Sequence, residues 1–231
     1  MSAAPQAALL FAAGFGTRMG ELTRDRPKPL VEVAGRPLID HALDLLQPLA
    51  LPRVVANLHY RAEMLEAHLA PRGVRTSVER PEILETGGGL RQALPLLGPG
   101  PVFTLNTDAI WAGPNPLELL RAAWDSDRMD ALLIGIAPDH AAGHTGAGDF
   151  TTDAAGQVLR RGPGLIYGGA QIVNPDLLAG IEARAFSLNA LWDRMLTRGR
   201  LFALAYPGRW CDVGHPAGIV LAEALLAGDD V

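Results

Sequence analysis

The sequence predicts an α/β fold: a mixed, mostly parallel sheet flanked by helices, with a smaller β-rich lobe in its second half. Three observations carry this. Short apolar runs alternate with segments of helical spacing through the first 136 residues, which is the pattern of a parallel sheet with right-handed crossovers. The apolar runs end at glycines or polar triplets, as buried parallel strands do. Glycines then concentrate in two stretches of the second half, Gly143 to Gly148 and Arg161 to Gly169.

In chain order, Ala7 to Phe11 is an apolar run that stops at a glycine loop and reads as the first strand. Pro37 to Leu49 places Leu38, Ile39, Ala42, Leu45, Leu46 and Leu49 at helical spacing. Arg53 to Asn57 is a second strand, Glu63 to Leu69 a helix, and Val74 to Val78 a third strand. Leu90 to Leu97 is expected to be a helix that follows a glycine triplet, and Pro101 to Leu105 a strand that ends in Asn106-Thr107-Asp108. A helix over Pro116 to Trp124 and a buried strand over Ala131 to Ile136 follow. The second half offers short strands at Gln157 to Leu159, Ala170 to Val173 and Leu201 to Ala205, then a helix from Ala217 to Leu226. They are read as a lobe that continues the same sheet and closes over the crevice. Ligands of such sheets bind beyond the carboxyl ends of the strands. The glycine loop after the first strand and the Asn-Thr-Asp after the fourth therefore belong to one crevice.

Composition narrows the chemistry. Hydrophobic residues make up 48% and charged residues 19% of the 231, enough for a sizeable core. A net charge of −5 removes the basic field that draws nucleic acid, so positive charge for phosphates must be local or come from metal ions. Cys211 is the only cysteine, which excludes a disulfide framework and a cysteine zinc site. Its surroundings would not activate a thiol, and it is expected to be a small buried hydrophobe beside Asp212. The six histidines form no HExxH pair. Met1 to Gln6 has no basic leader region, and no apolar stretch approaches the roughly 20 residues of a membrane span. A cytoplasmic protein is expected, with no membrane and no nucleic-acid partner.

The strongest motif is Leu10-Phe-Ala-Ala-Gly-Phe-Gly-Thr-Arg-Met19, followed by Arg26-Pro-Lys-Pro-Leu30. Gly14 and Gly16 let the backbone bend and turn its N–H groups toward phosphate oxygens. Arg18 is a forked phosphate donor, and Lys28, the only lysine, is a compact charge held between two prolines. The third glycine, Gly20, comes one residue too late for a dinucleotide fingerprint, and no lysine follows the glycines as a P-loop requires. Asp108 and Asp212 each read singly as turn caps; beside the loop and Lys28 they read as metal ligands. Glycines 87 to 89 either let backbone amides approach a flat base or form a loose helix start capped by Thr86.

These residues resemble the signature of sugar-1-phosphate nucleotidyltransferases: Ala12-Ala-Gly-x-Gly-Thr-Arg-Met with Pro27-Lys-Pro-Leu. Leu84-Glu-Thr-Gly-Gly-Gly89, Asn106-Thr-Asp-Ala-Ile-Trp111 and Trp210-Cys-Asp-Val-Gly214 extend the resemblance over about Ala7 to Ala224. Within that family the chain is most similar to the N-acetylmuramate-1-phosphate uridylyltransferases of bacterial cell-wall recycling. The resemblance implies a Rossmann-like single domain over 1–231, with a nucleotide-binding half to about 136 and a sugar-binding lobe with the C-terminal helix from about 137. It implies a nucleoside triphosphate held by Ala12, Ala13, Gly14, Gly16, Thr17, Arg18, Lys28 and Asn106, and a base framed by Glu85, Thr86, Gly87 and Gly88. Mg2+ would be held by Asp108 and Asp212, with Arg18, Lys28 and Asp108 carrying catalysis. The sugar would meet Gly148, Asp149, Gly168 and Gly169, with Tyr167 alongside.

The implied reaction joins the triphosphate, UTP favoured, to a sugar-1-phosphate, N-acetylmuramate-1-phosphate favoured, and releases pyrophosphate. Attack by one anion on another needs divalent cations, independently of any resemblance. A carboxylate on the sugar would need a donor, for which Arg160, Arg161 and His144 are candidates. One departure is Thr107, where the family has glycine. Mannose-1-phosphate with GTP and glucose-1-phosphate with dTTP are the alternative pairs. A non-catalytic nucleotide-binding subunit would have no use for both metal carboxylates, and Pro-Lys-Pro-Leu favours a sugar over a molybdopterin substrate. The protein is expected as a monomer or small homo-oligomer.

Overall fold

In a computed structural model, residues 4–228 are described. The expected single domain runs to residues 1 and 231, so its first and last three residues lie outside the described part, as does the start of the N-terminal segment.

The first half builds β1 (Ala7–Phe11), β2 (Glu32–Val33), β3 (Arg36–Pro37), α1 (Leu38–Leu46), β4 (Arg53–Leu58), α2 (Ala62–Leu69) and β5 (Arg75–Val78). Then come α3 (Glu85–Leu97), β6 (Val102–Asn106), β7 (Ala109–Ala112), α4 (Pro116–Ala123) and β8 (Ala131–Ile136). The second half adds β9 (Ala141–Ala142), β10 (Phe150–Thr152), β11 (Val158–Arg161), β12 (Ile166–Val173), α5 (Asn189–Thr197), β13 (Leu201–Ala205), β14 (Arg209–Asp212) and α6 (Pro216–Ala227). No helix among the described residues is long and apolar enough to cross a membrane.

Seven strands form the main sheet in the order β13-β8-β12-β6-β1-β4-β5. All neighbours are parallel except β12, which runs antiparallel to both β6 and β8. Successive residues of β1 face opposite sides, and both sides are covered. Ala8 and Leu10 join a core with Ile39, Leu65, Leu117 and Phe103, whereas Ala7 and Leu9 join one with Leu90, Ala93, Leu191 and Trp192. This two-sided burial is why β1 reads as a continuous apolar run. A third, smaller core of Met19, Val33, Ile110, Cys211 and Leu225 lies between α6 and the three-stranded sheet β7-β14-β9.

The second-half strands β12 and β13 continue the same sheet, as expected, and β12 inserts between β6 and β8, so the two halves share one sheet. The hairpin β10–β11 and the small sheet of β7, β14 and β9 stand apart from it. The helix expected from Leu90 instead starts at Glu85 and contains the glycine triplet. A side chain at Gly87 would run into the Phe186 ring, and one at Gly88 would come within 2.6 Å of the Arg184 carbonyl. These are packing glycines inside a helix. The side chain of Thr86 does not cap it; its hydroxyl accepts from the Leu188 amide at 2.9 Å.

Candidate active site

The strand order reverses direction at β1, which has β4 on one side and β6 on the other. Such a switch point opens a crevice at the carboxyl ends, and here it lies beyond the paired residues Phe11 and Asn106. Thr107, buried at 3% exposure, donates from Oγ1 to the Phe11 carbonyl at 2.8 Å and ties the two strand ends together. The departure from glycine thus replaces backbone freedom with a side-chain lock.

The glycine loop leaves β1 with the Ala12 amide donating to Asn57 Oδ1 at 3.0 Å. Gly16 has φ of 66°, and a Cβ there would lie 2.8 Å from Lys28 Cβ. Only glycine allows both the turn and the approach of Lys28. Lys28 then reaches across to Asp108, Nζ to Oδ2 at 2.7 Å, with 12% of its side chain exposed.

Asp108 follows β6, and Asp212 ends β14. Antiparallel pairing of β7 with β14 sets Asp212 opposite Ala109, and the Val213 amide donates to the Asp108 carbonyl at 2.8 Å. Burial pushes the Asp212 carboxyl above its ordinary range, and the neighbouring Asp108 charge pushes it further. Lys28, Arg18 and His215 pull the other way. A Cβ at Gly214 would sit 2.8 Å from Asp212 Oδ2 and 3.2 Å from an Arg18 terminal nitrogen, so glycine leaves these groups room. No group of three potential metal ligands occurs among the described residues. Two carboxylates that repel each other, with no third, fit a cation that draws its other ligands from phosphates and water, as magnesium does.

Three connected cavities meet at Asn106. The first arm is lined by Ala13, Gly14, Asn57, Ile83, Glu85 and Thr86. The second holds Arg18, His144, Gly168, Trp210 and Asp212, with Asp108 at its junction with the first. The third is lined by Phe150, Arg161, Asn189 and Trp192, with Asp149 and Tyr167 shared with the second. Asp149 Oδ2 accepts from the Tyr167 amide at 2.8 Å. The Arg161 guanidinium bonds Asp193 at 2.7 Å and both the side chain and carbonyl of Asn189, above the Phe150 and Trp192 rings.

Other residues named from sequence sit differently. Ala12 is buried beneath the loop, and Thr17 is exposed at the start of a short helix. The amides of Gly87 and Gly88 both donate to the Phe186 carbonyl, at 2.9 and 3.1 Å. They are not free to read a base, and Glu85 and Thr86 are the residues of this turn that face the cleft. Gly148, with φ of 102°, packs on the Gly164 backbone and closes the loop before β10 without lining an arm. Gly169 lies under Asn106, where a Cβ would come 2.9 Å from its Cβ. Arg160 is exposed and lines no arm. Asn57, Glu79, Asn189 and Trp192 were not anticipated. A polar residue at the carboxyl end of a buried strand, as Asn57 is, was the available signal.

Residues 8–226 match the family described as MobA-like NTP transferase domain. The chain is 45% identical, over 98% of its length and 99% of the relative's, to the N-acetylmuramate alpha-1-phosphate uridylyltransferase of Caulobacter vibrioides. It is 31% identical to the protein of the same name from Neisseria meningitidis serogroup B, over 94% of this chain and 97% of that one. Among solved structures, HddC from Yersinia pseudotuberculosis complexed with GMP-PN superposes with a TM-score of 0.77 at 21% identity, covering 96% of this chain and 99% of that chain.

Proposed function

The chain belongs to the MobA-like NTP transferase family and is a sugar-1-phosphate nucleotidyltransferase; from that premise we propose that it joins UTP to N-acetylmuramate-1-phosphate. The observation that carries this choice is the near full-length similarity to the Caulobacter uridylyltransferase. The third arm supplies a chemical reason. N-acetylmuramate differs from N-acetylglucosamine by a lactyl ether that bears a carboxylate, and a site that selects it needs a cation nearby. Arg161 lines that arm and uses three of its five N–H groups on Asp193 and Asn189, which leaves two for a substrate carboxylate. His144, in the second arm against Trp210, lies nearer the phosphates.

In this reading the first arm takes the nucleoside, the second the phosphates and the third the sugar. A phosphate oxygen of the sugar phosphate forms a bond to the α-phosphorus, the bond from that phosphorus to the bridging oxygen breaks, and pyrophosphate leaves. Lys28 and Arg18 offset the charge on the departing phosphates. Asn106 and Asp149 orient the two substrates where the arms meet. Asp108 and Asp212 would hold Mg2+, whose charge would offset that of the phosphate oxygens. No protein nucleophile takes part. Cys211 is fully buried, and burial pushes its thiol up to about 11, so no thiolate is on hand. The proposed setting is cytoplasmic peptidoglycan recycling, with the enzyme a monomer or small homo-oligomer.

The test is kcat/KM across a matrix of UTP, GTP and dTTP against N-acetylmuramate-1-phosphate, N-acetylglucosamine-1-phosphate, mannose-1-phosphate and glucose-1-phosphate. The pair named above should lead. A competing sugar or base ahead by about tenfold, a difference of about 1.4 kcal/mol, overturns the substrate assignment and leaves the reaction class standing.

A further inference from the structure

A hydrogen-bonded chain runs from the wall of the first arm, which Asn57 lines, to a fully buried carboxylate beneath it. The Ala12 amide donates to Asn57 Oδ1 at 3.0 Å, Asn57 Nδ2 donates to Glu79 Oε1 at 2.7 Å, and Glu79 Oε2 accepts from the Leu84 amide at 2.6 Å. Asn57 is 3% exposed and Glu79 is fully buried. Gly89 makes room for the pair, since a Cβ there would lie 2.5 Å from Asn57 Nδ2 and 2.6 Å from Glu79 Oε1. The carboxyl has no lysine or arginine among its partners, so its burial costs stability that an apolar pair would not. Packing therefore gives no reason for it.

The ends of the chain suggest one. Ala12 opens the glycine loop, and Leu84 precedes Glu85, the non-glycine residue with φ of 58° that faces the first arm. Leu84 is held by Glu79 and by the Phe186 amide, and Thr86 by the Leu188 amide, so the unfavourable conformation of Glu85 is pinned on both sides. We propose that Asn57 and Glu79 are positioning residues: they fix the spacing between the phosphate loop and the Ile83–Thr86 turn, and so preorganise the nucleoside triphosphate site. This rests on the reading of the first arm as the nucleoside site.

The chain has a direction, and that makes it testable. Asn57 must offer oxygen to Ala12 and nitrogen to residue 79, so residue 79 must accept on both sides. In Glu79→Gln the new amide nitrogen faces either Asn57 Nδ2 or the Leu84 amide. Adding Asn57→Asp restores the pattern, because the introduced carboxylate accepts from Ala12 and from the glutamine, whose oxygen accepts from Leu84. Equilibrium UTP binding, steady-state kinetics and thermal unfolding are measured on the wild type, the single variant and the double variant.

Glu79→Gln should weaken UTP binding and raise its KM by about tenfold, while kcat and the sugar-phosphate KM stay within about twofold. The double variant should return to within about threefold of wild type. The proposal falls if Glu79→Gln unfolds at a lower temperature yet binds UTP normally, if both substrates' KM values rise together, or if the double variant binds no better than the single. Should Glu79→Gln not fold, Asn57→Ala, which turns no donor against the carboxylate, carries the same expectation and the same refutation. A wild-type chain that binds no nucleoside triphosphate overturns the site reading itself, which is a separate result.

Discussion

On the side of the cleft proposed for the nucleoside, the groups that hold the site are buried and joined by directional hydrogen bonds: Thr107 to Phe11, Ala12 to Asn57, Asn57 to Glu79. On the side proposed for the sugar the charged groups are half-exposed, although Trp192 beneath them is anchored to buried Gln171. Arg161 and Asp193 keep 34% and 60% of their side chains in solvent, and the loop from Gly143 to Gly148 is largely exposed. Buried, fully satisfied polar networks resist change because leaving one partner unpaired costs roughly 1–3 kcal/mol. Exposed ion pairs are worth about 1 kcal/mol or less and rearrange readily. On the proposed assignment, the contrast sets a triphosphate loop fixed by buried bonds against a sugar arm whose charged groups can rearrange. Substitutions on the two sides should therefore differ in kind as well as in size.

The largest effects are expected where the arms meet. Asp108→Asn and Asp212→Asn should each lower kcat by about a thousandfold, about 4 kcal/mol of transition-state stabilisation, while circular dichroism shows an intact fold. Chelation of divalent cations should do the same to the wild type. Turnover within about tenfold of wild type in either variant, at saturating magnesium, would remove the metal assignment.

Next comes Lys28→Arg. Lys28 is packed against Gly16 and bonded to Asp108, which leaves little space for a larger forked head. Activity should fall by about tenfold or more, about 1.4 kcal/mol, chiefly in kcat. Wild-type rates in this variant would make the lone lysine a simple cation, replaceable by any other.

On the sugar side, Arg161→Gln should reduce the preference for N-acetylmuramate-1-phosphate over N-acetylglucosamine-1-phosphate by roughly fivefold, the scale of a half-exposed charge pair. The KM for UTP should not move. If UTP binding suffers as much as sugar selectivity, the two sides are not independent and the contrast drawn above breaks down.

The smallest effect concerns Cys211. With its thiol pushed up to about 11, about one molecule in a thousand is ionised at pH 8, where an ordinary thiol near 8.5 is about one quarter ionised. The sign is that of a buried group that resists charging, so reactivity should rise only as pH climbs toward 11. A thiol reagent at pH 8 should label the unfolded chain quickly and the native one hardly at all. Rapid native labelling would mean that β14 separates from β7 or β9, and with it the seat of Asp212.

Legibility was uneven for physical reasons. β1, β8 and β13 were read at their observed bounds because strands buried on both faces appear as unbroken apolar runs. β7 and β14 were missed: they are short, and their strand character comes from pairing with each other, which sequence spacing does not encode. The helix α5, whose Trp192 lines the third arm, is absent from the expected elements although Leu188, Leu191, Trp192, Met195 and Leu196 recur at helical spacing and were the available signal. The glycine triplet leaves two readings open in the sequence, a ligand-facing loop or a helix start, since the need for glycine looks the same whether a base or the Phe186 ring crowds the backbone.

By itself the sequence determined the alternation of strands and helices, the glycine loop, the single lysine and the two aspartates, because each follows from local periodicity or from a residue type that few other roles require. Tertiary structure alone decided that Asp108 and Asp212 meet across β7 and β14, that Lys28 closes on Asp108, and that Asn57 and Glu79 join the loop to the turn at the first arm. Those are contacts between segments far apart in the chain. Their geometry is set by the register of strands and the packing of helices, and no short-range pattern of residues carries that information.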